Sequence, residues 1–578
     1  MGYGVKSPKL ARGCPWAVAG VLLFTGCTAS QQRRYADQNA YRIVQQVETR
    51  VLGHTNQFNI DTPYSRRNPQ EILPTELIED RLRTNQRVLT LEAAIDLAVK
   101  NSREYQKAKE DLYTAALELS NTRYAIGGRV TPSSVTTAVA ERDSSGQRSA
   151  DVTTETGVTI SRLFQTGGRL TVDLLNSVML YYSGRPELSF SKVSGSLIQP
   201  LLRGFGRNNL EVEALTQKER DMIYALRSFS LYQDQFTLGI ANDYFRLLQQ
   251  KDNIRNRYTN YLGRVQSTKR LEARAVDRER LSDVDQARQA ELTAKNNYVD
   301  TIARYKAALD LFKLTLGIPL GEKLFLEDQA LDELQLAGLV PAPLDVTVAY
   351  RLAVQKQMRM LNFIDQFEDS KRKVRIAADR LKPALTFTAN ASLESEAPAD
   401  YTRFDADKVS AGFGLQLDLP LDRLPRANFY RAALVTFESD LRTLSRRLDD
   451  LKNNIEGGLR TLEQRRQNYE IQQNALTLAN RRVASTTLLL EAGRAEVRDL
   501  VDAQDSQIAA ENAVGAALVD YQETRLQLML DIGALRTDTP KFWLQDHLAA
   551  FLPGGSPVAA QRKPAEQAVL PPEDYFKN

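Results

Sequence analysis

The chain has 578 residues, enough for several average domains or one large extended one, with 76 Lys+Arg against 72 Asp+Glu and a formal net charge of +4. So even a balance gives no argument for nucleic-acid binding, and nucleic acid is not an expected partner. Two Cys and two His argue against a disulfide framework, against zinc sites of the usual Cys/His kind and against a triad hydrolase; no enzyme, cofactor or metal is expected.

At the N-terminus Lys6, Lys9 and Arg12 precede the apolar run Ala17 to Phe24, a pattern that predicts an export signal over residues 1–26. The run is too short to span a bilayer as a helix. FTGC, Phe24 to Cys27, resembles a bacterial lipobox with Phe24 where Leu is usual. It implies cleavage before Cys27 and lipid attachment to the Cys27 thiol, and Thr28 is similar to the residue that follows in lipoproteins of the outer membrane. Residues 27–88 are polar with scattered proline and read as a lipid-anchored leader running along the rest of the chain. No later segment approaches a transmembrane helix in length, so a membrane crossing would have to use strands.

The remainder is written twice. Proline is absent from Leu201 to Ile318 and again from Arg426 to Thr539, and both blocks are rich in helix-favouring Ala, Leu, Arg, Glu and Gln. Leu441, Leu444, Leu448, Leu451, Ile455, Leu459 and Leu462 take six steps over 21 residues, the coiled-coil period. Gly317 in LTLGIP and Gly533 in MLDIGA lie 216 positions apart, as do Asp283 and Asp499, and Ala287 and Ala503. Pro200 and Pro420 lie 220 apart, so the first copy carries a few extra residues, which a hairpin tip accepts most easily. Each copy predicts a long helix, about 207–272 and 426–491, of roughly 100 Å at the usual helical rise. It turns at a tip near 274–283 or 490–499, Gly493 marking the second turn, and returns as a helix of half the length. Leu89 to Leu119 and Leu344 to Val374 also read as helical, stacked end to end with those returning arms. The repeats run 89–317 and 344–536, joined by a linker or equatorial segment, 318–343.

Between short and long helix the period changes to two. In PALTFTANASLE, Leu385, Phe387, Ala389, Ala391 and Leu393 alternate with Thr386, Thr388, Asn390, Ser392 and Glu394; VSAGFGLQLDL alternates likewise. Each is about the length of a transmembrane strand; on strand evidence alone a soluble sandwich with one buried face competes, and the lipobox and the flanking long helices favour a barrel. Strands are expected over about 131–200 and 384–419. The first copy is longer here and includes GVTISRLFQTGGRLTVDLL, 157–175, a hairpin turning at Gly167-Gly168. The sequence leaves open whether it joins a barrel or projects from it. Small barrels need about eight strands, so a single chain implies an oligomer.

QPLLRGFGRNN, 199–209, begins like a phosphate-cradling glycine loop. Asn209 stands where a further glycine would be wanted, and the counterpart LPLDRLPRANF keeps Pro-Leu and Arg but loses both glycines. It reads instead as a joint: Pro200 ends a strand, Gly204 and Gly206 bend the chain and Arg207 opens the long helix. Pro420 and Pro425 mark the second joint. The tail, 537–578, is Pro-rich and reads as disordered from Pro540. His54 and His547 read as surface or tail residues rather than ligands.

With LTLEAAIDLAVKNS, QPLLRGFGR, LEAGRAEVRDLVDAQ and the lipobox, the chain resembles the TolC-like outer-membrane efflux proteins over roughly residues 89–536. The resemblance implies a membrane β-barrel continued by a long α-helical coiled-coil barrel, with two internal repeats per chain and completion by trimerisation. In that family each protomer usually gives four strands to a shared twelve-stranded barrel. A periplasmic adaptor protein and an inner-membrane pump are the implied partners, together with outer-membrane lipid, and the implied function is the exit duct of a tripartite efflux or type I secretion system. Paired aspartates that ring the periplasmic opening match Asp499 and Asp502, and Asp283 matches a first-copy acidic position. The sequence departs from the family where a gating Arg position reads Ala495, beside Arg494, and a Tyr position reads Leu490. The alternative is a structural coiled-coil envelope lipoprotein without transport activity; the polar faces of the strands favour the channel.

Overall fold

The computed structural model describes residues 28–55, 57–142, 148–181, 188–275, 281–342, 344–396, 403–419, 421–492 and 494–548. The export signal, Cys27, Pro420, Gly493 and residues 549–578 lie outside the described residues. In chain order the elements are α1 (Ala29–Leu52), α2 (Pro74–Leu82), β1 (Gln86–Leu89), α3 (Leu91–Asn101), α4 (Arg103–Gly127), β2 (Arg129–Arg142), β3 (Arg148–Leu163), β4 (Arg169–Tyr181) and β5 (Leu188–Pro200). There follow α5 (Leu210–Ala275), α6 (Leu281–Thr315), β6 (Lys323–Leu326), α7 (Gln329–Ala337), α8 (Val346–Lys356), α9 (Met358–Asp379), β7 (Ala384–Glu394), β8 (Ser410–Asp418), α10 (Leu424–Glu491) and α11 (Val497–Asp531). They form two compact units. One takes in the chain up to Ile60, Lys109–Leu226 and Lys371–Val435; the other takes in Asp61–Ala108, Arg227–Ser370 and Thr436 onward.

The first unit holds a six-stranded sheet in the order β2-β3-β4-β5-β7-β8, every neighbouring pair antiparallel. The hairpin at 157–175 is part of it: β3 pairs with β4 from Asp151↔Tyr181 to Leu163↔Arg169. Its turn uses Gly167 at φ 82°, a conformation that costs an L side chain free energy. The leader is more ordered than polarity and scattered proline suggest. Its proline-free stretch is helix α1, which buries Ala40, Ile43, Val44 and Val47 at helical spacing. Within the unit the Tyr113 hydroxyl donates to Asp37 at 2.6 Å, and the Tyr41 ring lies 5.8 Å from the Tyr113 ring.

The second unit is helical around one apolar core that includes Leu91, Ala98, Tyr244, Phe245, Phe312, Leu316, Ile455, Leu526 and Trp543. Two features depart from the sequence expectations. The segments read as single helices, Leu89 to Leu119 and Leu344 to Val374, are each broken, between Asn101 and Arg103 and between Lys356 and Met358. Glycines from the ends of the half-length helices fit against both breaks. A Cβ on Gly317 (φ 73°) would lie 2.2 Å from the Asn101 carbonyl oxygen, and one on Gly533 (φ 72°) would lie 2.8 Å from the Gln357 nitrogen. Secondly, the expected tail begins late. Phe542, Trp543, His547 and Leu548 are buried, and His547 Nε2 lies 2.7 Å from the Phe542 carbonyl oxygen. The buried Arg525 guanidinium donates to the carbonyls of Trp543 and Gln545, which satisfies backbone groups that an irregular segment would otherwise leave unpaired. The linker also carries structure: β6 pairs in parallel with β1 from Gln86↔Lys323 to Leu89↔Leu326. The Tyr244 hydroxyl bridges the Leu89 and Glu327 carbonyls at 2.9 and 2.8 Å.

Gly317→Ala and Gly533→Ala are each expected to destabilise the protein by more than about 1 kcal/mol, because left-handed strain and a backbone clash add. Gly53→Ala shares the positive φ but has open space around its Cβ and should cost less. Denaturant midpoints of the three variants at unchanged slope test this order.

Candidate functional site

The sheet registers bring side chains of like polarity into rows across all six strands. One row reads Val130, Ile160, Val172, Gly195, Ala391, Ala411. The next reads Thr131, Thr159, Asp173, Ser194, Ser392, Ser410. The one after reads Pro132, Val158, Leu174, Val193, Leu393. Side chains alternate between faces along a strand, so one face is apolar and the other hydroxyl-rich. On the polar face the Thr159 hydroxyl donates to Asp173 at 2.6 Å. On the apolar face Phe413 is 86% and Leu415 68% exposed, which in water would be a large unfavourable patch. Further along β2 and β3 the apolar face gives way to Ser134 opposite Thr156 and Thr136 opposite Thr154, with side-chain oxygens 3.3 and 3.2 Å apart. The amphipathic band is therefore shorter than these two strands.

The strand-to-helix joint is built around one carboxylate. Pro200 is the last residue of β5; Gly204 and Gly206 have φ of 77° and 62°. The buried Asp379 accepts from the Gly204 N–H at 2.6 Å and from Asn208 Nδ2 at 3.2 Å, and pairs with Lys382 at 2.8 Å. The Gly206 N–H donates to the Thr166 carbonyl at 2.8 Å. Both glycine amides are thus engaged, and a negative charge already occupies the place a phosphate would take. A Cβ on Gly167 would lie 2.7 Å from the Gly204 carbonyl oxygen, so the β3–β4 turn seats directly on this loop. Arg207 does not open the long helix: Gly206–Asn208 is a single 3-10 turn and α5 starts at Leu210. Asn209 caps it, its Oδ1 accepting from the Glu211 N–H at 2.9 Å, as N-cap side chains do. At the second joint Pro425 lies in the first turn of α10, where a missing N–H costs nothing. Asp418, the last residue of β8, pairs with Arg203 at 3.3 Å and Arg426 at 3.8 Å.

At the other candidate site Asp499 is the third residue of α11, and its carboxylate accepts from the Glu496 N–H at 3.1 Å in a capping box. Asp502 follows one turn later, and both are exposed. Asp283 stands in the first turn of α6. The hairpin ends pack on a small apolar cluster of Leu271, Ala287 and Val497 with Val284, Leu490 and Val501. Leu490 is thus part of the packing at the hairpin ends. Sequence reasoning missed Arg264, which is 3% exposed. It pairs with Asp505 at 2.7 Å and donates to the Val501 carbonyl at 3.1 Å, tying α5 to α11. One arginine in an arginine-rich helix gives no sequence signal. Among the described residues no helix is long and apolar enough to cross a membrane.

No family profile and no curated protein matches the chain. Solved structures do. CusC is similar at a TM-score of 0.58 and 12% identity, over 77% of this chain and 92% of that one. The outer-membrane protein VceC of Vibrio cholerae is similar at 0.54 and 14%, over 77% and 96%. The CmeC outer-membrane channel of Campylobacter jejuni is similar at 0.54 and 13%, over 77% and 85%. The chain has the TolC-like fold of the outer-membrane channels.

Asp379→Ala leaves the Gly204 N–H and Asn208 without their acceptor and is expected to cost about 1–3 kcal/mol. Asp379→Asn keeps an acceptor and should cost less. Thermal melts of the two variants check the order; equal stability to the parent chain would remove Asp379 from the joint.

Proposed function

We propose that the chain is one protomer of a trimeric outer-membrane channel-tunnel, the exit duct of a tripartite efflux or type I secretion system. The observation that carries the reading is the alternation of apolar and polar rows across six strands. A barrel needs one face for lipid and one for water; an envelope tether needs neither. The fold shared with the CmeC outer-membrane channel supports it. The order of short helices, strands, long helix and half-length helix occurs twice, which supports two internal repeats. Cys27 is the proposed lipid anchor, and a periplasmic adaptor and an inner-membrane pump are the proposed partners.

In this reading the α11 start faces the periplasmic opening. Threefold symmetry would gather six carboxylates from Asp499 and Asp502, with Asp283 nearby on the other hairpin. Like charges so close draw cations.

Purified protein is expected to form trimers that conduct ions in planar bilayers. Well-folded trimers that remain silent would leave the tether as the better account. Asp499→Asn with Asp502→Asn keeps an oxygen for the capping box but removes the charge. The double variant should weaken divalent-cation block by roughly tenfold, equivalent to about 1.4 kcal/mol of binding, and shift reversal potentials toward non-selectivity. Unchanged block and selectivity would place the two residues away from the aperture.

A further inference from the structure

Four strands from each of three chains would make the usual barrel of this fold, but this chain brings six. Resting on the trimeric channel reading, we infer that three copies close a single barrel of eighteen strands, each copy's β8 pairing with the β2 of the next.

Three observations carry this. The first is that β2 and β3 are members of the sheet on equal terms. β2 pairs with β3 over its whole length, Arg129↔Ser161 to Arg142↔Arg148, and Val130, Pro132, Ile160 and Val158 continue the apolar rows of the other strands. A hairpin projecting from a twelve-stranded barrel would have no reason to keep that phase. The second is the edges. β2 and β8 end the sheet, and among the described residues no strand pairs with their outer sides. Six strands fall short of the roughly eight that close a small barrel, so one chain cannot join its own edges. Lipid supplies no partner for an open edge, so the occupant must be another backbone, and a further copy of this chain offers the complementary edge. The third is direction. Six consecutive antiparallel strands leave β2 and β8 running oppositely. Copies related by rotation about the barrel axis therefore meet antiparallel at every seam, and a head-to-tail contact of this kind closes as a ring.

The inference sets the width of the pore. At the usual strand spacing and tilt, eighteen strands give a backbone diameter of about 36 Å, against about 24 Å for twelve. Porins of this strand number enclose an aqueous channel.

The test is cysteine cross-linking of the full-length protein in membranes, with stoichiometry from native mass spectrometry. Val130→Cys on β2 is combined in turn with Ala411→Cys, Phe413→Cys, Leu415→Cys and Leu417→Cys on β8, all on the apolar face. A second series replaces Val130→Cys by Val172→Cys on β4, the strand that would meet the neighbour if β2 and β3 stood outside. Covalent trimers from the first series and none from the second are expected. The reverse result, or trimers by mass with no cross-link in the first series, would overturn the eighteen-stranded barrel and leave the trimeric channel standing. Monomers or dimers would overturn both. Electron cryo-microscopy of the unmodified trimer counts strands independently of any variant: eighteen is expected, and twelve overturns the inference.

Discussion

A backbone N–H or C=O taken out of water must find a partner, and any open sheet leaves two rows of them without one. In this chain those rows belong to the outer sides of β2 and β8. In the eighteen-stranded barrel proposed above, the even strand number and the uniform antiparallel order let another copy of the same chain satisfy those rows. The polar face then has a reason to be rich in Ser and Thr. Hydroxyls such as that of Thr159, which reaches Asp173, hydrogen-bond locally while still presenting a wettable surface.

The helical unit solves a different version of the same problem. Each of its short helical segments stops and restarts, at Asn101–Arg103 and at Lys356–Met358, and each break brings bare backbone into a packed interior. A glycine at the end of a half-length helix, Gly317 or Gly533, is the residue that fits there, because no side chain could approach the Asn101 carbonyl or the Gln357 nitrogen so closely. The same device appears at positions 216 apart, so the two half-length helices are alike not only in length but in a contact that only glycine allows.

Much of this was legible in the sequence, and what was not had physical reasons. The long helices announced themselves through absence of proline and a steady apolar seam from Leu441 to Leu462. β7 and β8 did so through strict alternation. The membership of β2 was less visible, because Ser134, Val135, Thr136 and Thr137 place similar small side chains on both faces and alternation loses its contrast. The breaks at Ser102 and Gln357 carry neither Gly nor Pro; the signal lay in their partners more than 170 residues away in sequence. Phe542 and Trp543 form too short a cluster to have a period; they join the apolar core, the Trp543 ring against Phe245, while Arg525 satisfies the Trp543 and Gln545 carbonyls. At the joint, the bend was readable from Gly204 and Gly206, but Asp379, which holds it, is 175 residues away in sequence and had no local mark. Asp499 was picked out for its charge, whereas its geometry also makes it a helix cap.

The joint has a consequence for the order in which the molecule can be assembled. Gly204 and Asp379 are 175 residues apart, and β5 pairs with β7 from Lys192↔Glu394 to Pro200↔Thr386. Strands β2 to β5 meet by successive local hairpins and can associate as soon as they are made. The edge of β5 and the start of α5 must wait until the whole intervening helical hairpin and α9 have followed, and long-range closures of this kind are slow. Until β7 is in place, strands β2 to β5 would present an edge without its partner in the chain, the condition in which strands pair with the wrong neighbour. Asp379 arrives only just ahead of β7, so the carboxylate that finishes the first joint also marks the moment when that exposure ends.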